Sequence, residues 1–192
     1  MSLLAQKLTQ RVFTVKRSLL KLIGAEYFVY DEANNLLFLA HQEGFKWKLA
    51  IDVYADQAKT QSLMSIRARQ IVDFSAAYDI WDNTTNQGIG ILQRKGWSSM
   101  VRDEWIICDP SGVQVATLIE DSMLLSILRR FADGLIPQNY DILINGQRVV
   151  DLRQNFNPFN YHLRCEVQGM IDNRLVLASA ILLAAVEGKQ RG

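Results

Sequence analysis

Asp172-Asn173-Arg174-Leu175-Val176-Leu177-Ala178-Ser179-Ala180-Ile181-Leu182-Leu183-Ala184-Ala185-Val186-Glu187-Gly188 is the stretch on which the fold turns. Asp172 or Asn173 supplies an N-cap and Gly188 a stop, so the spacing predicts one helix from Asp172 to Glu187. From Leu175 to Val186 no position is charged, and Ser179 alone is polar. A helix apolar on every face has to be enclosed on every face. A bilayer could do this, but crossing one takes about 20 apolar residues, and this run is shorter. The remaining enclosure is a closed β-sheet around a central helix, with Leu175, Leu177, Ile181, Leu182 and Val186 as its structural core. The seven large aliphatic side chains of the run contribute about 10–20 kcal/mol of burial as an upper bound. A membrane anchor is the competing reading of the same residues.

Upstream, one pattern recurs: an aromatic-led apolar run, a turn rich in Asp, Asn and Gly, then a second apolar run. Tyr27 to Tyr30 leads through Asp31 to Asn35 into Leu36 to Leu39. Trp47 to Tyr54 leads into Ser62 to Arg69, Tyr78 to Trp81 into Gly88 to Leu92, and Trp105 to Cys108 through Asp109-Pro110-Ser111-Gly112 into Val113 to Ile119. Tyr140 to Ile144 leads through Asn145-Gly146 into Gln147 to Leu152. Asn-Gly suits the two left-handed positions of a type I′ hairpin, and Asp-Pro-Ser-Gly presets a corner and relaxes it. Regularly spaced hairpins of this kind predict a sandwich or barrel. Asp121 to Phe131 breaks the pattern and reads as a second helix, capped by Asp121 or Ser122 and stopped by Gly134 and Pro137.

The chain of 192 residues suits one domain, 1–192, with 1–25 as a basic N-terminal appendage. Apolar residues make up 49% and charged ones 21%, an ordinary globular balance, and the formal net charge of +1 supplies no global field for nucleic acid. The N-terminal stretch has no continuous apolar core and does not read as a signal peptide. Cys108 and Cys165 stand apart, outside any CxxC pair, in apolar strand contexts. They read as buried free thiols rather than a disulfide or zinc ligands, which suits a reducing, cytoplasmic setting.

Catalytic and metal motifs are scarce. His41 and His162 each stand alone. Gly96-Trp97-Ser98-Ser99-Met100 lacks the closing glycine of a nucleophile elbow, and Gly88-Ile89-Gly90 lacks the third glycine of a phosphate cradle. Asp31, Asp82 and Asp109 each open a turn, which explains them without a metal. The expectation is therefore no enzyme, no cofactor and no small-molecule substrate.

One local charge feature remains. Lys7, Arg11, Lys16, Arg17 and Lys21 all precede the first acidic residue, Glu26. With Leu4, Leu8 and Val12 at helical spacing they could form a basic amphipathic segment resting on an anionic phospholipid surface. The alternative is a helix docked on the barrel, followed by a first strand at Val12 to Val15.

The hairpins Tyr78-Asp79-Ile80-Trp81-Asp82 with Gly90-Ile91-Leu92, Trp105-Ile106-Ile107-Cys108-Asp109 with Gly112, and Tyr140 to Leu152, followed by Asp172-Asn173-Arg174-Leu175 and Ala178 to Val186, resemble the tubby-like barrel superfamily. Within it the chain looks most like the phospholipid scramblase and plant LURP-one-related branch, from Tyr27 onward. The resemblance implies about twelve antiparallel strands closed around the C-terminal helix. It implies a non-catalytic module that binds a protein partner or an anionic membrane surface, peripheral to the membrane. The alternative it carries is lipid translocation, with the C-terminal helix in the bilayer. The Pro-rich region, cysteine cluster and acidic calcium segment of eukaryotic scramblases have no counterpart here. Tubby proteins bind phosphoinositide head groups through basic residues on the barrel wall, for which Arg67, Arg69, Arg94 and Lys95 are the candidates.

Overall fold

The computed structural model describes residues 2–18, 24–44, 48–69, 76–95, 104–121, 138–155 and 161–187. Its strands are β1 (Val12–Arg17), β2 (Ala25–Tyr30), β3 (Leu36–Gln42), β4 (Ala50–Tyr54), β5 (Ser62–Ala68), β6 (Ala77–Asp82), β7 (Gln87–Arg94), β8 (Glu104–Cys108), β9 (Gln114–Glu120), β10 (Asn139–Ile144), β11 (Gln147–Gln154) and β12 (His162–Val167). Every strand pairs antiparallel with its sequence neighbour, and β1 pairs with β12, so the sheet closes into a twelve-stranded barrel. β1 is the seam: Thr14 stands opposite both Tyr30 of β2 and Arg164 of β12. The stretch marked in the sequence as a basic appendage thus contains one stave of the barrel.

Alternation of side chains sets what faces inward. In β2, Ala25, Tyr27 and Val29 are buried, while Glu26, Phe28 and Tyr30 face out half-buried. β12 follows the same rule with Leu163, Cys165 and Val167 inside. The hairpin turns take the geometry their residues call for. Asn145 and Gly146 have φ of 51° and 78°, the left-handed pair of a type I′ turn, and Asn34, Asn86 and Gly112 occupy the left-handed region in three others.

Five hairpins (β2–β3, β4–β5, β6–β7, β8–β9, β10–β11) share a feature that alternation does not reveal. In each, the register slips near the turn, so one residue of the returning strand has no partner. The residues passed over are Leu37, Leu63, Ile89, Val115 and Val149, all aliphatic, the first four evenly spaced along the chain. All five bulges lie at the end of the barrel where these hairpins turn, here called the turn rim. Bulges at barrel rims bend the strand and re-aim side chains.

Helix α2 (Asn173–Glu187) runs through the barrel. It touches β1, β2 and β12 on one side of the ring and β7 on the opposite side. Leu175 through Ala185 are all buried, Leu177 and Ile181 completely, with Val186 half-buried at the exit. A twelve-strand ring is roughly 20 Å across and a helix with its side chains about 10–12 Å, so the helix fills the bore. The approach is close at Gly90 of β7, where an added Cβ would stand 2.9 Å from Leu175 Cδ2 and run into the Cys108 carbonyl oxygen. Asp172 caps the helix as the sequence predicts: its Oδ1 accepts from the Arg174 N–H at 2.9 Å. The helix expected over Asp121 to Phe131 lies outside the described residues beyond Asp121.

Candidate functional site

The turn rim is closed by a short helix, α1 (Leu3–Lys7). Ser2 caps it, its hydroxyl oxygen accepting from the Ala5 N–H at 3.2 Å. Leu4 and Leu8 are buried against the barrel mouth, and Asn173 Nδ2 donates to the Leu8 carbonyl at 2.9 Å, tying the N-terminal segment to the first turn of α2. The amphipathic helix through Val12 does not form. The β-branched run Val12, Thr14, Val15 prefers the pleated surface of a strand, and Val12 begins β1 instead.

This divides the basic row. Lys7 ends α1 and Arg11 precedes β1, both at the turn rim. Lys16 lies on the outer wall, its Nζ 2.9 Å from Asn34 Oδ1 and 4.5 Å from the centre of the Tyr30 ring. Arg17, at the end of β1, shares the inward parity of Phe13 and Val15. It acts on Tyr27, whose hydroxyl burial pushes up to about 12 while the Arg17 charge opposes the shift. Lys21 lies outside the described residues. Among the described residues, Lys7 and Arg11 are the two basic side chains with no ion pair, hydrogen bond or ring contact.

The wall arginines are engaged. Arg67 pairs with Asp52 at 2.5 Å and donates to the Ile51 carbonyl at 2.7 Å. Arg69 grips Asp79 through Nε and Nη2 at 2.6–2.9 Å, and Lys95 pairs with Glu104 at 2.9 Å. Arg94 lies 5.9 Å from the centre of the Trp105 ring. A head group bound at Arg67, Arg69 or Lys95 would have to displace carboxylates already in place.

The turn carboxylates do the structural work assigned to them. Asp31 accepts from the Asn35 N–H at 2.7 Å, and Asp109 accepts from the Ser111 and Val113 N–H groups at 2.9 and 3.0 Å. The side chains of Asn35 and Ser111, which donate to Asp31 and Asp109 at 2.9 and 2.6 Å, hold the two carboxyls below the usual carboxylate range, with these backbone bonds adding to the effect. Asp82 does the same for Thr84 at 3.0 Å but has a second role. Its carboxylate is fully buried at the inward end of β6, and its Oδ2 accepts from Arg174 Nη1 at 3.0 Å. Burial alone would raise its pKa; the bonds from Ser2, Thr84 and Arg174 outweigh burial and hold it low. One carboxylate therefore joins α1, the β6–β7 turn and the start of α2. The Asp-x-Arg step before the helix was the available sequence signal, but its partner lies 92 residues away.

The candidates for chemistry stay apart. His41 Nδ1 is 3.6 Å from Glu26 Oε1 on the outer wall, and His162, on β12, has its pKa lowered by burial and by Lys16. Cys108 and Cys165 are free and buried. No group of three or more His, Cys, Asp or Glu residues able to hold a metal occurs among the described residues. Inside the barrel, Leu92, Trp105, Leu118, Ser179, Leu182 and Leu183 line a void of about 10 Å³, room for about one water and no substrate. Among the described residues no helix is long and apolar enough to cross a membrane. No protein-family model matches this chain, and no curated protein sequence matches it.

Proposed function

We propose that this chain is a non-catalytic, tubby-like module that binds an anionic membrane surface peripherally, through the turn rim. The observation that carries the reading is the contrast in how its cations are used. On the wall Arg67, Arg69 and Lys95 are paired with carboxylates, while Lys7 and Arg11 are unpaired and both lie at the rim. An unpaired cation meets an anionic head group without first breaking an internal pair, and each contributes about 1 kcal/mol near such a surface. The filled bore supports the same reading, because it leaves the outer surface as the place to bind. The burial of α2 weighs against lipid translocation by that helix. Its 15 residues reach about 22 Å, short of a hydrocarbon core of about 30 Å.

The test is vesicle flotation of wild type, Lys7→Gln/Arg11→Gln and Lys16→Gln/Arg17→Gln, with and without phosphatidylserine, at two salt concentrations. Binding is expected to need anionic lipid, to weaken with salt and to fall in the first variant more than in the second. Equal flotation of all three proteins would remove the N-terminal cations from the mechanism. Flotation of none would turn the reading to a protein partner.

A further inference from the structure

The large apolar side chains left exposed among the described residues are Leu3, Trp81, Val113, Val115 and Met170. Exposed apolar residues scattered singly over a protein need no explanation. These five are not scattered. Leu3 is in α1 across the mouth. Trp81 is next to last in β6, Val113 immediately precedes β9, and Val115 is its second residue. Met170 lies between β12 and α2. Every one belongs to the turn rim. Two of them flank or fill bulges: Val115 is the residue passed over in β8–β9, and Trp81 stands opposite Gly88 where β6–β7 slips. Met170 is 94% exposed and Val113 61%, so neither helps hold the core.

We infer that the turn rim is a bilayer-insertion face, in which Met170, Val113, Val115, Trp81 and Leu3 enter the head-group region while Lys7 and Arg11 engage anionic lipid beside them. The inference rests on the membrane reading above and adds to it an apolar contact and its residues. Two features select a bilayer over a protein groove as the occupant. The side chains are spread around the ring from β6 through β9 to the β12–α2 link, across roughly 20 Å, whereas protein hot spots cluster in one central pocket. A flat lipid surface accepts separated apolar tips at once. Lys7 and Arg11, on the same rim, lack internal partners and complement an anionic surface. The Asp31 and Asp109 carboxylates on the same rim bend back onto their own turns. Tryptophan suits such a boundary, apolar in its body with one N–H donor.

Two components of binding follow, and they separate experimentally. The cations give a part that salt screens. The apolar tips give a part that survives salt. The full chain is floated with phosphatidylcholine vesicles containing phosphatidylserine, at low and high salt, as wild type, Val113→Glu/Met170→Glu and Lys7→Gln/Arg11→Gln. In parallel, Met170→Cys is labelled with an environment-sensitive NBD dye; both native thiols are buried, so labelling is selective in the folded protein. The glutamate variant is expected to lose about tenfold or more in partitioning at high salt, with its thermal melt unchanged, and the dye to shift to the blue on adding vesicles. A wild type that floats, with an equal glutamate variant and an unmoved dye, overturns the insertion face and leaves electrostatic surface binding standing. A wild type that does not float at either salt overturns both.

Discussion

Gly90→Ala and Gly88→Ala, two positions apart on β7, should change stability in opposite directions. At Gly90 the new methyl would run into the Cys108 carbonyl oxygen of β8 and stand 2.9 Å from Leu175 Cδ2. Carbon atoms pack best at about 3.5–4.0 Å. The oxygen belongs to backbone paired across the sheet at Ile91 and Cys108, and Leu175 is 5% exposed, held in the bore. Neither can swing aside, so the strands must part. Overpacking of this kind costs about 1–3 kcal/mol. Restricting the unfolded chain offsets about 0.4–1 kcal/mol of it. At Gly88 the nearest atom to a new methyl is Pro110 Cβ at 3.6 Å, an ordinary contact, so the offset stands alone as a gain. Because the gain is common to both, the two variants should differ by the overpacking cost, about 1–3 kcal/mol, which in urea separates their midpoints by on the order of 1 M. Adding Leu175→Ala to Gly90→Ala should give non-additive free energies, because one of the two clashes is removed. A Gly90→Ala midpoint at or above that of Gly88→Ala, with an unchanged m-value, would refute the close approach of β7 to the central helix.

Leu182→Asp should abolish soluble folding, since the position is 2% exposed inside the barrel and an unpaired carboxylate there costs several kcal/mol; a monomeric variant with an unchanged cooperative melt would count against an enclosed helix. Asp141 is buried on the outer wall, and burial first, then the nearby Asp121 charge, raises its pKa. The folded state therefore holds that proton more tightly than the unfolded state, and stability is lost as pH rises through the folded value. Asp141→Asn should raise the urea midpoint at neutral pH, with a gain that fades in acid; a lower midpoint at neutral pH would show that its ion pair with Arg148 outweighs burial. Burial pushes both thiols up, Cys165 far more than Cys108, so a thiol reagent should react fully only after denaturation. Fast native labelling of Cys165 would contradict its place in the core.

The parts of the fold legible in the sequence were those with a local cause. Turn residues placed the hairpins, because Asn145-Gly146 and Asp109 to Gly112 leave the backbone few alternatives. The all-apolar face of Leu175 to Val186 demanded an enclosure, and closure of the sheet was the way to build one. The bulges escaped because one extra aliphatic residue, such as Leu63 or Ile89, looks like any other strand residue until register is known. The N-terminal row left two readings open for a related reason, and the structure has the docked helix followed by a strand. Helical spacing of Leu4, Leu8 and Val12 is compatible with a helix, but β-branching at Val12, Thr14 and Val15 and the vacancy beside β12 favour a strand. Which cations were unpaired, and that the exposed apolar residues share one rim, depended on pairings between distant segments. Asp82 with Arg174 is the extreme case: the Asp-x-Arg step marks Arg174, but nothing near it in sequence points to Asp82.

The seam between β1 and β12 has a consequence for synthesis. Thr14 finds its partner Arg164 only after about 150 further residues have left the ribosome, and the helix that fills the bore follows later still. Until then the growing sheet has two open edges and a bare apolar face, the condition in which strands pair with the wrong chain. The helix cannot thread a ring that has already closed, so closure and helix insertion must coincide. Folding therefore waits until α2 has been made, and it is slow by its contact order.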